Sequence, residues 1–564
     1  MRKPYALLLF ILSCIMLLSA CHPQASDIES PRHTIAYNMP AKRILLLPLD
    51  SRPACTAMVS RLAAIGNMEV ILPPDKLLDH YHQPADRNAL RSWLQQEIKH
   101  TDTVIVSADM LLHGSLLHSR KNTLTEDEIT SALQFLRTLR HDNPKLKLYV
   151  FNTIPRLLIA DDDKTKKYQK DMLKYSTLQE EIILFNQENL LEELKKLEED
   201  IPPEILAQYH RLYDDNRMVN EALLSLIEDN TINYLVIGQD DGHVFGLPNI
   251  VKEHLDRHIK HNPHLADRTQ IVRGADELAM LLVSRIYAES HTPLSVYVAY
   301  NDEKTGGIVM PFMSQSVNTT VNEKLASIPA VRTDHIEDAD YVLYVYIGSN
   351  SDNRSQTQDS LATLCQLDAL DKPIALVDLS EHFRASETLL PILLDNSYPI
   401  NRLIAYAGWN TASNAIGTAV AQASLYTNAM KHTVYTQDKL SIAYANLTFL
   451  NDRFLDDYYY MKLVQPYLKL RLQSFSEDPY HLSPTTYYKS NDWLTAMMTN
   501  KARLLYHTRA YQSPFKLVMT GLDGTFTITD LAVESSLPWE RTFEANIFSK
   551  IIIKNLQKGV DISP

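Results

Sequence analysis

The stretch Arg43-Ile44-Leu45-Leu46-Leu47-Pro48-Leu49-Asp50-Ser51-Arg52-Pro53 decides the fold class. Ile44 to Leu47 is aliphatic without a polar face. A strand of that kind is covered on both sides, as in a parallel sheet flanked by helices. A proline ends the run, and an acid, a hydroxyl and a guanidinium follow at once. The same pattern returns along the chain. Short apolar runs rich in β-branched residues lie at 43–49, 103–107, 147–152, 232–238, 294–300, 340–347, 373–377 and 402–407. Amphipathic stretches such as 88–99, 126–139 and 275–288 separate them. This alternation predicts an α/β fold with two Rossmann-like or flavodoxin-like parallel-sheet blocks, at about 41–300 and 301–430.

Two regions depart from the alternation. Residues 164–200 are dense in Lys, Glu and Leu and stop at Pro202-Pro203, which predicts a helical hairpin inserted into the first block at about 164–230. Its charges read as a solvated face. Residues 431–564 read as mainly helical and Tyr-rich, and the alternation at 515–544 around Gly521 and Gly524 predicts a small terminal β element.

Composition excludes several classes. Across 564 residues, 45% are hydrophobic and 22% charged, which rules out collagenous, low-complexity and disulfide-dense proteins. Lys+Arg number 55 against 68 for Asp+Glu, a net charge of −13. Nucleic acid is therefore not an expected partner, because phosphate binding needs a basic footprint. None of the four cysteines lies in a CxxC pair, so a zinc ribbon or thioredoxin-like site is excluded. The P-loop, Gly-x-Gly-x-x-Gly and Gly-x-Ser-x-Gly motifs are absent, so no nucleotide cofactor is expected. Asp79-His80-Tyr81-His82 lacks a spaced partner set, so no metal is assigned to it.

The first residues read as an address. Met1-Arg2-Lys3 precedes an apolar run at 6–20, which is shorter than the roughly 20 residues of a membrane span. It has the length of a signal-peptide core. The run ends Leu18-Ser19-Ala20-Cys21, which resembles a bacterial lipobox. The expectation is a lipoprotein signal peptide at 1–20, a lipid on Cys21 and a tether at 21–40. The lipid would hold the protein on a membrane of the cell envelope, facing outside the cytoplasm.

In open parallel sheets, ligands bind beyond the carboxyl ends of the strands. Chemistry-bearing residues collect there: Asp50 and Arg52; Asp109 and His113; Arg156; Asp240, Asp241 and His243; Asn301 and Asp302; Asp378. Asp50, Asp109 and Asp378 each also suit a helix N-cap. Asp240-Asp241 is the stronger signal, because adjacent like charges cost energy unless a cation, a ligand or a shared proton offsets them. Paired carboxylates are also the minimal kit for glycoside hydrolysis. Asp276-Glu277 follows Arg273-Gly274 and reads either as a second pair or as favourable charge at a helix start. Trp409, with Asn410 and Asn414, suits a platform for a sugar ring and equally a core position.

Several separated motifs resemble one bacterial family, the uncharacterised domain of unknown function 4127. They are Leu47-Pro48-Leu49-Asp50-Ser51-Arg52-Pro53; Ser107-Ala108-Asp109-Met110-Leu111 with Gly114 and Ser119-Arg120; Asp240-Asp241 with Gly246; and Gly274-Ala275-Asp276-Glu277. Tyr406-Ala407-Gly408-Trp409-Asn410-Thr411 with Asn414 and Gly417, and Pro538-Trp539-Glu540-Arg541-Thr542-Phe543-Glu544, complete the set. His113 stands where the family pattern has a tyrosine, and Gly242-His243 replaces a small apolar stretch. The resemblance implies a list of site residues and no reaction.

The expected function is a carbohydrate-active hydrolase of the glycoside hydrolase type, acting on a glycan or other small molecule. Asp240 or Asp241 is the expected nucleophile or base, and Asp109 or Glu277 the general acid with its pKa raised by burial. Asp50, Arg52, Arg156, His113, His243, Asp276, Trp409, Asn410 and Asn414 are expected to bind substrate. Two alternatives stay open: a non-catalytic solute-binding or envelope-assembly lipoprotein, and a metal-dependent phosphate or sulfate ester hydrolase.

Overall fold

The computed structural model describes residues 32–34, 42–121, 123–158, 165–349, 354–517 and 524–563. The signal peptide, Cys21 and most of the tether lie outside the described residues. Within the tether, β1 (Arg32–Thr34) is an edge strand. The first block contains β2 (Lys42–Leu47), β3 (Met68–Ile71), β4 (Thr103–Ser107), β5 (Lys147–Ile154), β6 (Tyr234–Gln239) and β7 (Thr269–Arg273). These strands form one parallel sheet in the order β3-β2-β4-β5-β6-β7. Ile44 to Leu47 has no exposed surface, as its unbroken apolar run requires.

A second parallel sheet contains β8 (Leu294–Tyr300), β9 (Ala330–Thr333), β10 (Tyr341–Gly348), β11 (Ile374–Ser380) and β12 (Ala405–Ala407). Its order is β12-β11-β10-β8-β9. In both sheets the second strand lies on one side of the first and the third on the other, which is the flavodoxin-like order. Each sheet therefore has a switch point, between β2 and β4 in one and between β8 and β10 in the other. The block boundary expected at 300 needs correction. Leu294–Tyr300 hydrogen-bonds to β9 and β10, so it opens the second sheet rather than closing the first.

The helical insertion occupies the β5–β6 connection as helices Gln169–Phe185, Leu191–Asp200 and Pro203–Glu228. Pro202-Pro203 ends the second of these and begins the third, where Pro203 sits in the first turn and no intrahelical donor is lost. The insertion is thus a hairpin followed by a long crossover helix.

Helix Ala412–His432 is buried from Ala412 to Met430 on every face. Its small residues (Ala, Ser, Thr, Gly) let both neighbours approach. One neighbour is helix Leu278–Ala288 of the first block, where the Ser284 hydroxyl donates to the Ala421 carbonyl at 2.8 Å. The other is the second sheet, against β11 and β12. Helices Thr436–Arg453, Gln465–Ser474 and Pro484–Tyr506 follow, with a π-helical stretch at Phe454–Val464. The chain closes with antiparallel β13 (Phe526–Ser536) and β14 (Asn546–Asn555), extended by β15 (Val560–Ser563), which pairs in parallel with β1. Among the described residues, no helix is long and apolar enough to cross a membrane.

Candidate functional site

The loop after β2 begins the site. Asp50 is fully buried, and its carboxylate accepts the Arg52 backbone N–H at 3.1 Å and Arg52 Nη2 at 2.7 Å. Burial alone would raise its pKa, but the Arg52 guanidinium outweighs that and leaves Asp50 below the usual carboxylate range. Arg52 Nη2 also donates to Asp276 Oδ1 at 2.6 Å. One guanidinium thus joins acids from the ends of β2 and β7. Asp276 is pushed up by burial, with Arg52 pulling the other way. Asn410 and Asn414 direct their amides at Asp276 Oδ2, at 3.4 and 3.3 Å.

Asn410 reaches that position from a left-handed backbone, φ 48°. Its loop is anchored by Asp457, which accepts the Gly408 N–H at 2.8 Å and pairs with Arg453 at 2.7 Å. Asp457 belongs to the π-helical stretch, a distortion that recurs at functional sites.

The loop after β6 supplies the second half. Asp240 Oδ2 accepts Arg120 Nε at 2.8 Å and also contacts Arg120 Nη2. Next to it, Asp241 is pushed up to about 7 by burial and by the Asp240 charge, against the pull of Arg120 and Arg156. Asp240, Asp241, Asp276, Arg52, Arg120 and Arg156 all line one cavity of about 510 Å³. Asn410 and Asn414 line it too, whereas Asp50 lies just behind Arg52.

The other expected residues do not meet there. Asp109 is buried and holds the end of β5, accepting the Thr153 N–H at 3.0 Å and hydroxyl at 2.8 Å. Burial pushes it up to about 7, but it has no face on the cavity. Glu277 is fully buried in an ion pair with the equally buried Lys324, whose ammonium also contacts the Arg273 carbonyl. Neither Asp109 nor Glu277 is placed to protonate a ligand, so the expected general acid is corrected on both counts. His113 is half-buried off the cavity, and desolvation together with Arg87 pushes it down to about 4. His243 is exposed outside it. Trp409 is 7% exposed and donates its indole N–H to Thr418 Oγ1 at 3.1 Å. It borders only a recess of about 30 Å³ beside Arg52 and Asp276, too small for a sugar ring.

The aromatic surface of the cavity comes from elsewhere, from Tyr81, Tyr480 and Phe543. The Tyr81 hydroxyl donates to the Tyr480 carbonyl at 3.0 Å, and its ring stacks on Trp539 with centroids 5.4 Å apart. Arg541 lies 4.6 Å from both ring centroids and makes two hydrogen bonds to Glu544, at 2.7 and 2.8 Å. Trp539 Nε1 donates to Ser51 Oγ at 3.1 Å, so the C-terminal segment is fastened to the β2 loop. Arg120 and the Pro538–Glu544 residues belong to the motif set quoted above. That set was the one sequence signal for them.

His82 and His481 face each other across the rim. Their Nε2 atoms are 3.4 Å apart, with ring planes 7° apart and centroids at 5.5 Å, so the rings meet head-on. His481 Nδ1 lies 2.9 Å from Asp478 Oδ2. Among the described residues, no three His, Cys, Asp or Glu side chains gather as a cation would need.

A family model described as a protein of unknown function (DUF4127) matches residues 44–548, and the chain belongs to that family. No curated protein and no solved structure matches the chain.

Proposed function

We propose that the protein is an envelope lipoprotein, tethered through Cys21 outside the cytoplasm, with a carbohydrate-active hydrolase site in the cavity between β2, β6, β7 and the C-terminal segment. The observation that carries this reading is the Asp240-Asp241 pair. Both acids line the cavity, yet Asp240 is clamped by Arg120 while Asp241 retains a proton up to about pH 7. A proton-bearing acid beside a carboxylate is the arrangement that glycosidic cleavage requires. Asp241 protonates the leaving oxygen, and Asp240 attacks the anomeric carbon or activates water.

The surroundings support the same reading. Asn410, Asn414 and the Arg52–Asp276 pair present donors and an acceptor to sugar hydroxyls, and Tyr480 and Phe543 offer ring surface. The metal-assisted ester reading fits less well, because Asp50 and Asp276 turn both oxygens to Arg52 and Asp240 gives Oδ2 to Arg120. Turnover of a glycan panel by the wild type and by Asp241→Asn tests the proposal. The expected result is loss of hydrolysis in a variant with unchanged circular dichroism. Equal hydrolysis by both would overturn it.

A further inference from the structure

Apart from Arg156, the arginines and lysines around the cavity fall into two groups. The inner ones are matched: Arg52 by Asp50 and Asp276, Arg120 by Asp240, and Arg541 by Glu544. The outer ones are not. Lys121 follows Arg120 on the turn after helix Leu116–Ser119, and Lys166 opens the helical insertion. Both line the cavity, and among the described residues neither ammonium forms an ion pair with a carboxylate. Among the described residues, the acid on this rim is Asp478, which feels the Lys166 charge but already accepts the Tyr480 N–H at 2.9 Å and faces His481 Nδ1 at 2.9 Å. His82 stands among Lys121, His481, Arg541 and His118, all cationic or able to become so, and they add to burial in holding its pKa down.

Such a neighbourhood is not the default in a chain of net charge −13. Like charges at a cleft mouth repel, and the cleft focuses their field on whatever enters. A ligand bringing two or three anionic oxygens offsets that repulsion and gives the ammonium and imidazole N–H groups acceptors. The aromatic side chains of Tyr480 and Phe543 line the same cavity, so the anionic group arrives attached to a ring.

We propose that the ligand of this cavity is an anionic saccharide whose carboxylate, phosphate or sulfate group is received by Lys121, Lys166 and the His82–His481 pair. The inference rests on the cavity being the hydrolase site and adds the charge class of its ligand. It also accounts for the insertion, which holds Lys166 over the rim.

The test is binding to a glycan array in which neutral oligosaccharides are printed beside their uronate, phosphorylated and sulfated counterparts. Asp241→Asn serves as the non-turning background. Isothermal titration of the retained members follows, with inorganic phosphate and inorganic sulfate as competitors. Anionic members should bind at least about tenfold more tightly than their neutral counterparts. Lys121→Met with Lys166→Met should cost about tenfold per lysine for the anionic members and leave neutral ones unchanged. Competition by phosphate or sulfate marks an oxyanion ester, and its absence with uronate binding marks a carboxylate; either supports the proposal. Equal retention of neutral members, indifference to the lysine substitutions, or no binding at all overturns it. Hydrolysis of neutral glycans only would sink this inference and leave the hydrolase reading intact. Tight anionic binding without wild-type turnover would do the reverse.

Discussion

Replacing Lys324 by Met separates scaffolding from chemistry at Asp276-Glu277. Lys324 and Glu277 pair in the core with no exposed surface, and Glu277 Oε2 is buried without a partner. Backbone closes around Glu277: a Cβ added at Gly417 would clash with its Cγ. Removing one member of such a pair costs about 3–5 kcal/mol. Here the lower end is expected, because the carboxyl can escape its isolation. Burial already pushes Glu277 up, and Lys324 is the main influence holding it down. Without Lys324, folded Glu277 keeps a proton that the unfolded chain releases. Stability of the variant therefore falls as pH rises above the usual carboxylate range.

Adding Glu277→Gln removes the second charge, and most of the loss should return, with a coupling of about 2 kcal/mol. The assay is chemical denaturation followed by tryptophan fluorescence, since Trp409 packs beside the helix that carries Gly417. Turnover of the same proteins supplies the second readout. A Lys324→Met loss below about 1 kcal/mol, or a double variant no more stable than the single one, would refute the structural role. A double variant that is stable yet inactive would return Glu277 to the chemistry.

Four further outcomes are expected. Wild-type hydrolysis should decline as pH rises through about 7, where Asp241 loses the proton it donates, as a pH–rate profile will read. Asp79 is pushed up to about 8 by burial and by Asp50, from an ordinary 3.8, and its Oδ2 has no partner. The folded state thus holds a proton that the unfolded chain loses, and stability drains as pH rises between those values; Asp79→Asn should flatten denaturation midpoints across that window and raise them at its upper end. Gly417→Ala should destabilise by about 1–3 kcal/mol through overpacking against Glu277, read as a lowered thermal midpoint. Cys21→Ser should move the protein from the membrane fraction to the soluble one; continued sedimentation with membranes would count against the lipid anchor.

The sheets were legible because burial on both faces writes itself as runs without a charged residue, as at Ile44 to Leu47 and Tyr341–Gly348. Sheet membership was not legible in the same way. Leu294–Tyr300 has the composition of either block, and only its pairing with β9 and β10 assigns it. The acids at strand ends were legible for a topological reason, since parallel strands deliver their carboxyl ends to one edge. Which acids face solvent there was not. Asp109, Asp240 and Glu277 each follow a strand within a few residues, yet one caps Thr153, one faces the cavity and one is sealed against Lys324. That difference is set by side-chain direction and by a lysine 47 positions away.

The aromatic and cationic parts of the site show where strand-end reasoning stops. Tyr81 and His82 sit in the connection between β3 and the next helix, Arg120 and Lys121 on a turn after a short helix, and Lys166 in an insertion. Tyr480, His481, Arg541 and Phe543 belong to a region outside both parallel sheets. What joins them is the C-terminal segment folding back, with Trp539 bound to Ser51 and Glu540 within 3.1 Å of His80. The flavodoxin-like sheet supplies acids along an edge that would otherwise be an open shelf, and the returning segment turns that shelf into an enclosed cavity. The chemistry proposed for Asp240 and Asp241 therefore depends on Trp539 and Arg541 as well as on the strands. A chain lacking the Pro538–Glu544 motif would keep its acids and lose Arg541 and Phe543 from the cavity wall.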